Sequence, residues 1–169
     1  YLTRGERAEG QRMKDEGKGR SLAPRCKGAK PTLNPEPLNP EPELLRVLFV
    51  CIENSCRSQM AEAFARIHGG EHIEAYSAGS RPSGKVNPRA VEFMREIGCD
   101  LGGHSSKSLK DLPEVEFDVA VTMGCGDECP LVRAKRRESW NIPDPKNLPS
   151  DEFRAVRNLI ENKVKALLS

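Results

Sequence analysis

The sequence predicts an α/β fold: a small open parallel sheet of about four strands with helices on both faces. Three observations predict it. Short apolar runs of strand length alternate with stretches of helical periodicity. Gly, Pro, Asn and Ser punctuate the joins. Cys51, Ser77, Cys125 and Asp144 all fall at or just beyond a predicted strand's C-terminal end, where ligands bind in such sheets.

Residues 1–44 stand apart. They hold few apolar side chains, six of the thirteen prolines and a direct repeat, Leu33-Asn34-Pro35-Glu36-Pro37 followed by Leu38-Asn39-Pro40-Glu41-Pro42. They read as a disordered, polyproline-like tail, with an added strand as the other reading. Residues 45–169 are then one folded domain. Nine Lys or Arg and seven Asp or Glu lie in the tail, which leaves 18 of each sign in the domain. The net charge of +2 therefore belongs to the tail, and the domain presents no basic surface for nucleic acid or membrane. No apolar run approaches the ~20 residues of a membrane span, and no signal-peptide pattern opens the chain. The six cysteines then point to reactive thiols in a reducing cytoplasm rather than to a disulfide framework.

Val47, Leu48, Phe49 and Val50 form the first strand, and Cys51 ends it. From Ser58 the period becomes helical, with Met60, Phe64 and Ile67 at i, i+4 and i+7, and Gly69-Gly70 as the stop. His72 to Ser77 is a second strand, broken by Ala78-Gly79. Asn87 caps a helix with Pro88 at its first position, and Ala90, Phe93, Met94 and Ile97 are its buried stripe. Phe117 to Met123 is the third strand and Arg137 to Trp140 a short fourth. Ser150 caps the last helix, whose apolar face is Phe153, Val156, Ile160, Val164 and Leu167.

A thiol thus sits where a strand hands over to a helix. The loop Ile52-Glu53-Asn54-Ser55-Cys56 opens a helix N-terminus, and its backbone N–H groups make an anion cradle. Arg57 adds a planar fork of donors matched to a tetrahedral oxyanion. A helix N-terminus and a guanidinium both favour thiolate, and the Ser58 hydroxyl can donate to it. Asp144, between Pro143 and Pro145, is either a rigidly held general acid or a turn-forming residue. Cys125 and Cys129 lie in a Gly-rich loop on the same edge. They are either ordinary loop cysteines or a pair able to pass a disulfide outward from Cys51. The four cysteines Cys51, Cys56, Cys125 and Cys129 lack the usual x2 spacing of a structural zinc site, so no metal and no cofactor is expected. Residues 80–86 are a rim over the anion site or a solvated loop. Cys99 reads as a buried or half-buried thiol, and His104 as a structural hydrogen-bonding residue.

The run VLFVCIENSCRSQMAEAFAR from Val47 to Arg66 resembles the active-site loop of the low-molecular-weight protein tyrosine phosphatase superfamily, and within it the thiol-coupled arsenate reductases. The resemblance continues through Tyr76-Ser77-Ala78-Gly79, Val86-Asn87-Pro88-Arg89-Ala90, Gly103 to Leu109, Val121 to Cys125 and Pro143-Asp144-Pro145, so it covers about residues 45–169. It implies that arsenate sits on the amides of Ile52 to Ser58 and on Arg57. Cys51 attacks arsenic, and Asp144 protonates the leaving oxygen. Cys125 then attacks the Cys51 sulfur, arsenite departs, and Cys129 resolves that bond. Thioredoxin or a low-molecular-weight thiol reduces the resulting Cys125–Cys129 disulfide.

Two departures bear on this. The relay cysteines are closer together than in the thioredoxin-coupled members, which leaves the reductant and the order of Cys125 and Cys129 open. Some family members hold a potassium ion with an acidic residue near the Ser106-Lys107 turn. Asn54, Glu62 and Ser77 match its other positions, but here Lys107 offers an ammonium instead. The competing enzyme is a tyrosine phosphatase using Cys51, Arg57 and Asp144 alone. Lys146, where those phosphatases carry an aromatic residue, and Glu53 in the cradle both favour a small inorganic anion over it. A non-catalytic oxyanion-binding or redox-sensing module is the third possibility, marked by a Cys51 no more reactive than free cysteine.

Overall fold

The computed structural model describes residues 43–124 and 132–169. The predicted tail, apart from Glu43 and Leu44, and both Cys125 and Cys129 lie outside the described residues. The strands are β1 (Leu45–Cys51), β2 (Ile73–Gly79), β3 (Phe117–Met123) and β4 (Ala134–Trp140). The helices are α1 (Arg57–Gly69), α2 (Pro88–Arg95) and α3 (Ser150–Leu168). The strands form one parallel sheet in the order β2-β1-β3-β4. After β1 the chain adds β2 on one side, then returns to place β3 on the other. The switch point therefore lies between the C-terminal ends of β1 and β3.

β1 is central and buried from Val47 to Cys51, which is why its apolar run is unbroken. Alternate residues serve two cores. Val47, Phe49 and Cys51 join Val119, Val121 and Met123 under all three α-helices, against Met60, Phe64, Phe93, Phe153, Val156, Ile160 and Val164. Leu48 and Val50 face the other way, with Ala78 and Phe117. Among the described residues, that second face is covered by Leu109, Leu112 and Val115, around a 3-10 turn at Leu109–Asp111. Helical segments thus lie on both faces, but very unequally.

Several boundaries differ from expectation. β2 begins at Ile73, and it runs on through Ala78 to Gly79, which pairs with Cys51. A seven-residue β1 offers partners over its whole length, and this overrides the turn propensity of Ala-Gly. β4 starts three residues early, because Lys135, Arg136, Arg137 and Glu138 mask its pattern. Those charges suit an edge strand, which they guard against further pairing. Ser150 is the first helical residue of α3, and Pro149 holds the cap position, its carbonyl accepting from Phe153 N. Ile67 and Ile97 are exposed rather than buried. Ile67 sits in the last turn of α1 beside exposed Arg66, past the packed layer. Ile97 lies two residues beyond the end of α2, off its buried stripe. Asn87 does cap α2, its side chain accepting from Arg89 N at 2.9 Å.

Candidate active site

The loop from Cys51 to Arg57 is shaped by what holds its carbonyls. Ser80 N donates to Cys51 O at 3.2 Å, Arg81 N to Ile52 O at 2.8 Å, Ser83 N to Glu53 O at 3.0 Å, and Asn87 N to Ser55 O at 2.8 Å. Residues 80–87 therefore back the loop. With those carbonyls turned outward, trans peptide geometry directs the N–H groups of residues 52, 53, 54 and 56 the other way. Gly79 makes this close passage possible: a Cβ there would lie 2.6 Å from Ile52 O and 2.9 Å from Asn54 N.

Asn54 is the one non-glycine residue with positive φ among the described residues, at 48°, a conformation Asn tolerates better than most. It is fully buried and held on all sides. Its Oδ1 accepts from Lys107 N at 2.7 Å and from Gln59 Nε2 at 2.9 Å. Its Nδ2 donates to Ser58 Oγ at 2.8 Å. Ser58 Oγ in turn lies 3.0 Å from Cys51 Sγ. Gln59 also donates to Asn54 O and Ser105 O, and His104 Nδ1 meets Gln59 Oε1 at 2.9 Å. His104 is thus a structural hydrogen-bonding residue, as expected, and burial holds its pKa below the usual 6.5.

Arg57 is buried at the start of α1 and reaches across the switch point. Its Nη1 donates to Ile142 O at 3.0 Å, and its Nη2 lies 3.5 Å from Asp144 Oδ2. Gly124 lets it pass: a Cβ there would sit 2.4 Å from Arg57 Nη1. Asp144 follows β4 as the N-cap of a 3-10 turn at Pro145–Asn147, where it accepts from Lys146 N at 3.2 Å. Asp144 is thus a turn-forming side chain that also faces Arg57.

Cys51, Ile52, Glu53, Ser55, Cys56, Arg57 and Asp144 line one cavity of about 90 Å³. A single water needs about 10–15 Å³ on that scale, so a small oxyanion has room. Cys56 shares the wall, but burial first, then the charges of Asp144 and Cys51, push its thiol up to about 12. It stays protonated beside the sulfur of Cys51. Cys99 is half-buried and far from this site in sequence, and burial raises its pKa.

The sequence pattern missed Gln59, which looks like a solvent-facing helical residue and is fully buried. It also missed Gly124 and the contact of Ser106 Oγ with Glu53 O at 2.8 Å. Lys107 Nζ lies 3.6 Å from Glu62 Oε2 and donates to Ser105 O at 3.3 Å. Glu62 is buried and also accepts from Ser77 Oγ and, at 2.6 Å, from Arg66 Nη2. The Lys107 ammonium is therefore paired with the buried Glu62 carboxylate. Among the described residues, no group of three or more His, Cys, Asp or Glu is placed to hold a metal ion. No helix among them is long and apolar enough to cross a membrane.

The chain is similar to proteins with this architecture. A glutaredoxin arsenate reductase of Synechocystis sp. is 36% identical over 127 residues, which span 73% of this chain and 96% of that protein. A solved arsenate reductase in the phosphate binding state superposes with a TM-score of 0.68 at 36% identity, covering 74% of this chain and 97% of the other. The thioredoxin-dependent arsenate reductase of Corynebacterium glutamicum superposes with a TM-score of 0.59 at 29% identity, covering 73% and 60%. Residues 46–169 match the profile of the low molecular weight phosphotyrosine protein phosphatases. The chain therefore belongs to the low molecular weight phosphotyrosine protein phosphatase family, alongside these arsenate reductases.

Proposed function

We propose that the protein reduces arsenate to arsenite in the cytoplasm, using Cys51 as nucleophile and a relay through Cys125 and Cys129. The observation that carries this reading is the convergence of Cys51, Arg57 and Asp144 on one small cavity at the switch point. The cradle amides and Arg57 bind the tetrahedral anion. Cys51 thiolate forms a bond to arsenic as one oxygen leaves, and Asp144 supplies the proton that makes it water. Cys125 thiolate then attacks the Cys51 sulfur. The sulfur–arsenic electron pair stays with arsenic, which leaves as arsenite, and a Cys51–Cys125 disulfide remains. Attack by Cys129 frees Cys51 and leaves a Cys125–Cys129 disulfide, which an external thiol reduces.

Gly124 lies against Arg57, and Cys125 is the next residue in the chain. That adjacency supports Cys125 as the first relay thiol. The reductant is a dithiol protein or a small thiol. Relatives carry both glutaredoxin and thioredoxin in their names.

The test is arsenite production from arsenate with glutathione and glutaredoxin, then with thioredoxin and its reductase, beside aryl-phosphate hydrolysis. Reduction lost in both Cys51→Ser and Cys125→Ser is the expected result. Hydrolysis that ignores Cys125→Ser, with no arsenite formed, would make the protein a phosphatase.

A further inference from the structure

We propose that Glu53 and Lys146 form a gate across the mouth of the oxyanion cavity, which admits a bare tetrahedral anion and excludes its organic esters. Glu53 and Asp144 line that cavity from opposite loops. Lys146, two residues past Asp144, donates to Glu53 Oε1 at 3.1 Å and Oε2 at 3.0 Å. The bridge joins the loop after β1 to the loop after β4. Its partners are 41% and 48% exposed, so it lies at the solvent side of the site.

Both ends are held in place from behind. Glu53 O accepts from Ser83 N and Ser106 Oγ, and Glu53 Oε2 accepts from Ser55 Oγ at 3.2 Å. Lys146 O accepts from Arg89 Nη1 at 3.1 Å. The Arg89 guanidinium itself lies over the rings of Phe93 and Phe153, at 5.5 and 5.0 Å. A bridge fixed at both backbones loses less side-chain freedom than an ordinary surface pair. The hydrogen bond from Lys146 also holds the Glu53 carboxyl below the usual carboxylate range.

Exposure sets what such a bridge can do. Ion pairs at this exposure contribute little to stability, so this one acts on what the cavity mouth admits rather than on the fold. Closed, it neutralises a carboxylate that would otherwise repel an incoming anion. It also occupies the space into which the substituent of a phosphate ester must project. A bare phosphate or arsenate has no such substituent. Specificity then comes from an obstacle to the wrong ligand rather than from extra contacts to the right one.

The inference rests on the oxyanion cradle of the proposed function and does not require reduction. The experiment is protection of Cys51 from iodoacetamide by inorganic phosphate and by phenyl phosphate, two anions of similar charge near pH 7.5. In the unaltered protein, inorganic phosphate should protect at a concentration at least tenfold lower. In Lys146→Met and Glu53→Gln that ratio should fall to within threefold, and the charge-reversed double variant Glu53→Lys/Lys146→Glu should restore it. A ratio that stays tenfold in both single variants overturns the gate. Equal protection by both anions in the unaltered protein overturns it too, while leaving the cradle standing. No protection by inorganic phosphate removes the cradle and the gate together.

Discussion

The Asn54 side-chain amide donates to the Ser58 hydroxyl at 2.8 Å, and that bond fixes the hydroxyl 3.0 Å from Cys51 Sγ. A Cys51 thiolate has no proton to give, so in that form the hydroxyl donates to it. A hydrogen bond to a charged group contributes about 1.5–3 kcal/mol, or roughly a factor of ten or more. Ser58→Ala should therefore slow alkylation of Cys51 at neutral pH by about tenfold. It should also destabilise the fold by about 1–3 kcal/mol, because buried Asn54 Nδ2 loses its acceptor. Alkylation at the unaltered rate would mean that the sulfur does not depend on this hydroxyl.

Gly124 combines a positive φ of 70° with a close approach to Arg57. Arg57 has little room to withdraw, since its side chain is 9% exposed and its Nη1 is engaged by Ile142 O. A left-handed conformation costs a residue other than glycine about 1–2 kcal/mol. Gly124→Ala should lower stability to urea by about that amount. It should also raise, by about tenfold, the phosphate concentration that protects Cys51. A variant that loses stability but binds phosphate as before would confine the glycine to a turn-forming role.

The elements nearest the site were the most legible in the sequence, for a physical reason. β1 is buried on both faces, so its whole run is apolar, and Cys51 marks its end. β4 was half hidden because an edge strand carries charge for its own protection. The cradle was readable as a run of neighbours, since its geometry is local: strand, loop, helix N-terminus. What holds the cradle was not readable, because it is long-range. Gln59 reaches Ser105, Lys107 reaches Glu62, and Lys146 reaches Glu53 across 93 positions. No period or spacing along the chain announces such pairs. Ile67 and Ile97 failed for the opposite reason: their spacing was right, but each sits just where its helix leaves the packed layer or has already ended.

Arg157 and Arg154 both meet Glu96, but only one is buried. Arg157 is 7% exposed, and its Nη1 donates to Phe93 O at 2.7 Å and Glu96 Oε2 at 3.1 Å, fastening α3 to the end of α2. Arg154 makes two bonds to the same carboxylate with its side chain 40% exposed. Removing a buried charged donor leaves the Phe93 carbonyl without it. Arg157→Met should cost about 2–3 kcal/mol, and Arg154→Met about 0–1 kcal/mol. Urea unfolding of the two variants side by side checks this, and equal losses would contradict it.

The tautomer of His104 follows from its partner. Gln59 Nε2 donates to three acceptors, Asn54 O, Asn54 Oδ1 and Ser105 O, so the Oε1 atom faces His104 and accepts from Nδ1–H. Burial, the largest influence, lowers the pKa of the ring from 6.5; Glu62 opposes this, while Arg66 and Lys107 add to it. The folded protein therefore takes up this proton less readily than the unfolded chain. The stability it contributes is present above pH 6.5 and is lost as pH falls through the lowered folded value. His104→Asn keeps a donor for Gln59 but removes the titration. Unfolding by urea at pH 7.5 and pH 5.0 should show the unaltered protein losing more stability on acidification than the variant. The same loss in both would mean that the acid sensitivity between these two pH values does not come from His104. The depressed carboxyls of Glu53, Glu96, Asp118 and Glu161 act in the same direction at lower pH, because each binds its proton more weakly folded than unfolded and loses its contribution only as pH falls below the usual 4.5, or 3.8 for Asp118.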